Sequence, residues 1–341
     1  MLIDGIHIPL TTPFTRDGDL YLRKLAHNVG RYSLTPAAGF VALTGEGAAL
    51  SDEETRDTLQ AIGATAAPEK VLIAAIHRDT VRAALTLAQQ AFDAILLSAP
   101  HDWQTLALPE LILFFQTVAD ASPLRVALFS NPSAPDFAFP TSMLAELSQH
   151  PNIIGLYDAG LTLQRYTEIA KATREVRHEV TVTTIFAPVT RRMLTAAAAT
   201  TVVTASALAG GTAVLAAPTT SALKTRTKTV GFQIMAAGAS AGFVALLEAG
   251  TAGAMPQLAA SAPQSCYEAY AAFKDGDPAL ASEKEQRLSE ADVLVGDLGI
   301  AAVKYGSDLN GYFGGSVRLP RVNLDASQQA TLDSIMAKLK N

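Results

Sequence analysis

The sequence predicts a (β/α)8 TIM barrel, and three observations predict it: short apolar runs recur at regular intervals, each is followed by a turn, and each turn leads into a stretch with helical spacing. The runs are Gly5–Leu10, Gly39–Leu43, Val71–Ile76, Ala94–Leu97, Val126–Phe129, Ile153–Tyr157, Val230–Met235 and Gly253–Gln257. Helix starts fall between them. Ser51 with Glu54 three residues on forms a capping-box signature, and Thr80 and Thr141 stand where two further helices would begin. Strand, turn and helix repeated around one core fit a single large barrel in a chain of 341 residues.

The rhythm breaks between the sixth and seventh runs, which implies an insertion at about 184–228. No charged residue occurs between Arg192 and Lys224, a run long enough to cross a bilayer. Its Ala, Thr, Ser and Gly content, with Pro218 near its end, instead favours a buried or self-packed insertion. After the eighth run the pattern is helical, so the expected organisation is a barrel over 1–262 and a C-terminal helical appendage over 263–341. The DGD turn at Asp275–Asp277 lacks the other ligands of a calcium loop and reads as a helix connection.

Composition narrows the function classes. A net charge of −6 without a basic run gives no footprint for nucleic acid or anionic lipid. The single cysteine, Cys266, allows no internal disulfide, and the opening residues lack a signal-peptide pattern, so a cytoplasmic setting is expected. No membrane partner and no cofactor are expected.

In a barrel of this kind the functional residues follow the C-terminal ends of the strands. Thr11 to Phe14 follow the first run. Thr44, Gly45 and Glu46 follow the second and lead directly into the helix capped by Ser51, so backbone N–H groups near a positive helix end suit a carboxylate. His77 ends the third run, His101 and Asp102 follow the fourth, and Asp158 follows the sixth. Imidazoles and carboxylates gathered at one rim suit acid–base work or a divalent metal, although none has the spacing of a local ligand motif, and no metal is expected.

These segments carry a resemblance. Thr12-Pro13-Phe14, LTGEGAALSDEE, Ser130-Asn131-Pro132, Ile153-Ile154-Gly155, AAVKYGSDLNGYFGG and Val317-Arg318-Leu319-Pro320 resemble the dihydrodipicolinate synthase and N-acetylneuraminate lyase family. The resemblance implies a pyruvate-type acid bound on the loop after strand two, a Schiff-base lysine at the end of strand six, a tyrosine after strand five and a homotetramer. This chain departs from that pattern. Tyr157 stands at the lysine position, Phe129 at the tyrosine position, Ala134 at the usual arginine, Leu43 at the first threonine of the carboxylate loop, and His101-Asp102-Trp103 where a neighbouring subunit normally supplies a tyrosine.

Tyr157 carries no amine, and an imine needs one. The expectation is therefore a lyase-like enzyme acting on a small oxo or hydroxy carboxylic acid without a lysine Schiff base. Tyr157, His77 and His101 are the candidate proton-handling residues, and Thr44, Gly45, Glu46 and Asp158 the candidate substrate contacts. Lys304 is the first substitute amine to consider. A non-catalytic 2-oxo-acid-binding or regulatory member and a metal-dependent lyase or hydrolase remain as alternatives. Arg318 is expected to tie the C-terminal segment to the barrel.

Overall fold

The computed structural model describes residues 1–76, 91–132, 137–199 and 223–339. Eight parallel strands close into a barrel: β1 (Gly5–Pro9), β2 (Gly39–Ala42), β3 (Val71–Ile76), β4 (Ala94–Leu97), β5 (Arg125–Ser130), β6 (Ile153–Asp158), β9 (Gln233–Gly238) and β10 (Gly253–Pro256). Around the barrel the order is β1-β2-β3-β4-β5-β6-β9-β10, and β10 pairs with β1. Nearly every strand residue is buried, because the barrel interior covers one face and helices cover the other. Each fully buried Leu, Ile or Val contributes about 1.5–3 kcal/mol relative to exposure. Gly155 in β6 is needed for closure, since a Cβ there would collide with the Gln233 carbonyl of β9.

The described helices of the outer ring are α1 (Leu22–Ser33), α2 (Asp52–Thr65), α3 (Leu108–Ala121), α4 (Thr141–Leu147) and α5 (Leu163–Ala172), followed later by α7 (Phe243–Ala249) and α8 (Pro263–Lys274). The capping box expected at α2 is present: Ser51 accepts from the Glu54 N–H and Glu54 accepts from the Ser51 N–H. At α4 the residue in the cap position is Pro140, with Thr141 as the first helical residue, so no side chain caps that helix. Thr80 lies outside the described residues.

The insertion is bounded by an antiparallel ribbon of β7 (His178–Thr183) and β8 (Thr225–Val230), with α6 (Arg191–Ala199) after the first strand. The seventh apolar run is therefore divided. Val230 ends the ribbon, and the barrel strand occupies Gln233–Gly238. The described part sits beneath the barrel: Arg191 N–H donates to Asp93, the Arg192 guanidinium donates to the Ala66 and Lys70 carbonyls, and Thr190 donates to the Pro68 carbonyl. Those acceptors precede β3 and β4 and so mark the N-terminal end of the barrel, opposite the strand ends that form the mouth. The uncharged tract over 200–222 lies outside the described residues. Among the described residues no helix is long and apolar enough to cross a membrane.

Helices α9 (Pro278–Leu298), α10 (Ile300–Leu309) and α11 (Ala326–Met336) complete the chain. The start of α10 is brought over the barrel mouth by polar contacts with the first two βα loops. Lys304 donates to the Thr12 carbonyl, to Glu46 Oε1 and to the Ser316 carbonyl, each at 2.7–2.8 Å. Asn28 of α1 exchanges two hydrogen bonds with the Phe313 backbone. Arg318 lies against Glu54 and the Gly18 and Ala49 carbonyls, which ties the C-terminal segment to the barrel as its sequence position suggested. Its hydrogen bonds hold the Glu54 carboxyl down at about 2.

Candidate functional site at the barrel mouth

A cavity of about 620 Å³ opens at the C-terminal ends of the strands. Thr11 follows β1, Thr44 and Gly45 follow β2, Leu97, Ser98 and His101 follow or end β4, Phe129 and Asn131 belong to β5 and its loop, and Gly299, Ile300 and Val303 roof the space from α10. The volume suits a small organic ligand.

Local backbone geometry shapes the lip after β2. Leu43 has φ 65° and Gly45 φ 68°, and the left-handed region disfavours a branched side chain such as Leu43 by about 1–2 kcal/mol. The two reversals bracket Thr44, whose carbonyl accepts from Glu46 N–H at 2.7 Å. The N–H groups of Thr44 and Gly45 make no hydrogen bond with any described residue. Beside them, the Thr11 hydroxyl is buried, with the residue 3% exposed, and has no partner. Three donors are thus left for a ligand on the β1–β2 side.

Of the residues singled out from the sequence, Thr44, Gly45 and His101 line this cavity. His77 and Ala134 lie outside the described residues. Glu46 is buried beneath the loop, paired with Lys304 at 2.8 Å and accepting from the Thr12 N–H. Asp158 is also fully buried; it accepts from Arg165 Nε at 2.7 Å and from the Gly160 N–H, while the same guanidinium reaches Ser130 Oγ and the Phe139 carbonyl. These two carboxylates are matched by cations and do not line the cavity.

Tyr157 points inward from β6 and is wholly buried. Its hydroxyl lies 2.8 Å from Nδ1 of His7 on β1, three strands away around the barrel, so the contact crosses the interior. Side chains alternate along a strand, so Pro9, two residues on in β1, and Ala159, just past the end of β6, follow on that inward side; both line the cavity, whereas His7 and Tyr157 do not. Burial raises the Tyr157 phenol well above its ordinary value and lowers His7 to about 4, a backbone contact with Asp4 opposing the latter only in part. A neutral phenol and a neutral imidazole therefore share the bond at neutral pH.

No lysine is among the described residues lining the cavity. Lys304, the first substitute amine that the sequence offers, is 1% exposed and spends its three donors on Thr12, Glu46 and Ser316. Burial lowers its pKa and Glu46 opposes that shift. Among the described residues no group of three or more His, Cys, Asp or Glu side chains is arranged to hold a metal ion.

A family model described as the dihydrodipicolinate synthetase family matches residues 2–214. The chain belongs to this family. A 4-hydroxy-tetrahydrodipicolinate synthase from Gluconacetobacter diazotrophicus is 24% identical over 94% of this chain and 91% of its own length. A second, from Cutibacterium acnes, is 27% identical over 48% of this chain and 58% of its own. The chain spans about half the length of the curated relatives it matches first. Among solved structures, the prophage protein YagE from Escherichia coli K12, crystallised with pyruvate, superposes with a TM-score of 0.75 at 20% identity, covering 99% of both chains. At that identity the likeness concerns the fold alone.

Within the dihydrodipicolinate synthetase family barrel, sequence reasoning passed over His7, Thr11 as an unpartnered donor, and Arg321, which reaches the cavity rim from the segment after α10. His7 had one signal, an imidazole in the middle of an otherwise apolar strand. Arg321 had none, since nothing local places that segment over the mouth.

Proposed function

We propose that this chain is a divergent member of its family that binds a small oxo or hydroxy carboxylic acid at the barrel mouth and processes it without a lysine Schiff base. The observation carrying this reading is the pairing of an open set of donors with a closed floor. The Thr44 and Gly45 N–H groups and the Thr11 hydroxyl are free to receive a carboxylate, while the family's lysine position holds Tyr157, sealed against His7 below Pro9 and Ala159. YagE was crystallised with pyruvate, which supports a pyruvate-type acid as the first ligand to try.

In this reading the backbone donors orient the carboxylate and Thr11 adds a third hydrogen bond. His101, at the rim after β4, is the described side chain able to exchange a proton with the ligand. Tyr157 and His7 act through the floor they hold and are positioning residues. Glu46 and Asp158 fix the loops that present these groups. A homodimer or homotetramer is proposed with the family assignment. The binding-only alternative draws on the scarcity of acid–base groups, because among the described lining residues His101 is the one imidazole and no carboxyl, thiol or ammonium group accompanies it. The metal-dependent alternative finds no ligand set among the described residues.

Thermal unfolding with and without pyruvate tests the cradle. At a hundredfold excess over the dissociation constant a native-state ligand adds about 2.7 kcal/mol, a rise of several degrees in Tm. Thr11→Val is expected to leave the free protein as stable or about 1–3 kcal/mol more so, by removing an unsatisfied buried hydroxyl, and to reduce the pyruvate-induced rise. No rise with pyruvate, lactate or related acids in the unaltered protein would remove the basis for the proposal. A rise without turnover would favour the binding-only alternative.

A further inference from the structure

Barrel closure puts β1 opposite β5, four strands away in either direction, and the cavity differs in chemistry between those two sides. The β1–β2 side carries the free N–H groups and the Thr11 hydroxyl. The β4–β5 side carries an aromatic wall of Trp103, Phe129 and Phe137 with Leu97, among which Ser98, His101 and Asn131 also line the cavity. This wall is held from behind. The Trp103 and Phe137 rings meet edge to face at 4.9 Å between centroids, Phe137 meets Phe139 at 5.0 Å, and Phe139 meets Phe115 of α3 at 4.9 Å. Phe115 and Phe139 are fully buried, so the rings facing the cavity rest on the core and keep their orientation.

We propose that the cavity takes a carboxylic acid with an aromatic-sized apolar tail, the carboxylate on Thr11, Thr44 and Gly45 and the tail against Trp103, Phe129 and Phe137. The inference rests on the carboxylate cradle proposed above and adds the class of substituent. A methyl-sized ligand such as pyruvate fills the polar pole and leaves the aromatic wall in contact with water. A phenyl-sized group removes that apolar surface from water and stacks or packs edge-on against fixed rings, which a chain with these side chains at the mouth favours on area alone.

Trp103 is the only tryptophan in the chain, so intrinsic fluorescence reports this wall directly. The probes are 3-phenyllactate and lactate, matched hydroxy acids that differ by the phenyl group. The expected result is a change in Trp103 emission with 3-phenyllactate, at an affinity at least about tenfold tighter than lactate by calorimetry, since burying even one methylene in a pocket is worth about tenfold or more. Phe137→Ala should weaken 3-phenyllactate more than lactate and so narrow the preference; Phe137→Leu, which keeps most of the apolar volume, serves if the alanine variant does not fold and should narrow it less, and an undiminished preference in both variants would overturn the placement of the tail on this wall. Equal binding of the two acids would overturn the inference and leave the cradle intact. Failure of both to bind would remove the cradle as well. Emission that depends on protein concentration and not on ligand would also overturn it, by making the wall a contact between copies of the chain.

Discussion

Replacing Lys304 by methionine is expected to destabilise the fold by about 3–5 kcal/mol, the cost of leaving one partner of a buried ion pair uncompensated. Lys304 and Glu46 are each 1% exposed and 2.8 Å apart. Without the ammonium, Glu46 keeps its charge or takes up a proton in a site that water does not reach, and the Thr12 and Ser316 carbonyls lose their donor. Three segments would loosen together, because Lys304 joins α10 to the loops after β1 and β2. Adding Glu46→Leu to Lys304→Met should recover much of the loss, since a buried pair replaced by apolar residues is often neutral or better. Urea unfolding of the two variants measures this. A single-variant loss below about 1 kcal/mol would show that the pair is solvated and does not dock α10.

Acid should find a second weak point in the barrel interior. His7 is fully buried and held at about 4, against an ordinary value of 6.5, so between those values the unfolded chain binds a proton that the native chain refuses. Stability then rises with pH: the contribution is complete above about 6.5 and is lost as pH falls towards 4, for a total of about 3 kcal/mol. The upper part of that window is the informative part, because carboxylates add their own titration lower down. In His7→Asn the slope of stability against pH from about 6.5 to 5 should flatten. A variant whose slope matched the unaltered chain would contradict the burial of a neutral imidazole. Tyr157→Phe should keep the slope and lower stability by about 1–3 kcal/mol, the cost of leaving the buried His7 Nδ1 without its Tyr157 partner.

The barrel was legible because its information is local. Continuous apolar runs, turns and the Ser51–Glu54 box each occupy a few neighbouring residues, and repetition supplies the topology. The seventh run shows the limit. Apolar character extends across Val230–Met235, yet Val230 pairs with His178 in the ribbon while Met235 pairs with Gly253 in the barrel, and hydropathy does not say which partner a strand will choose.

The site was legible in part for the same reason. Thr44, Gly45 and His101 reach the mouth because strand ends do so in any closed parallel barrel. Glu46 and Asp158 also follow strands, but each meets a cation that removes it from the cavity. For Asp158 that cation is Arg165, seven residues on, in the first turn of α5; for Glu46 it is Lys304, 258 residues away, and no pattern in the chain announces it. The Tyr157–His7 bond is hidden for a similar reason, since only closure sets β6 across the interior from β1.

Reduction with borohydride in the presence of pyruvate, followed by intact-mass and peptide mass spectrometry, bears most directly on the proposed chemistry. The lysine position of the family holds Tyr157, and no described lysine lines the cavity, so the expected mass is that of the unmodified chain. A reduced pyruvyl adduct mapped to any lysine, Lys304 above all, would contradict the proposal and return the protein to imine chemistry.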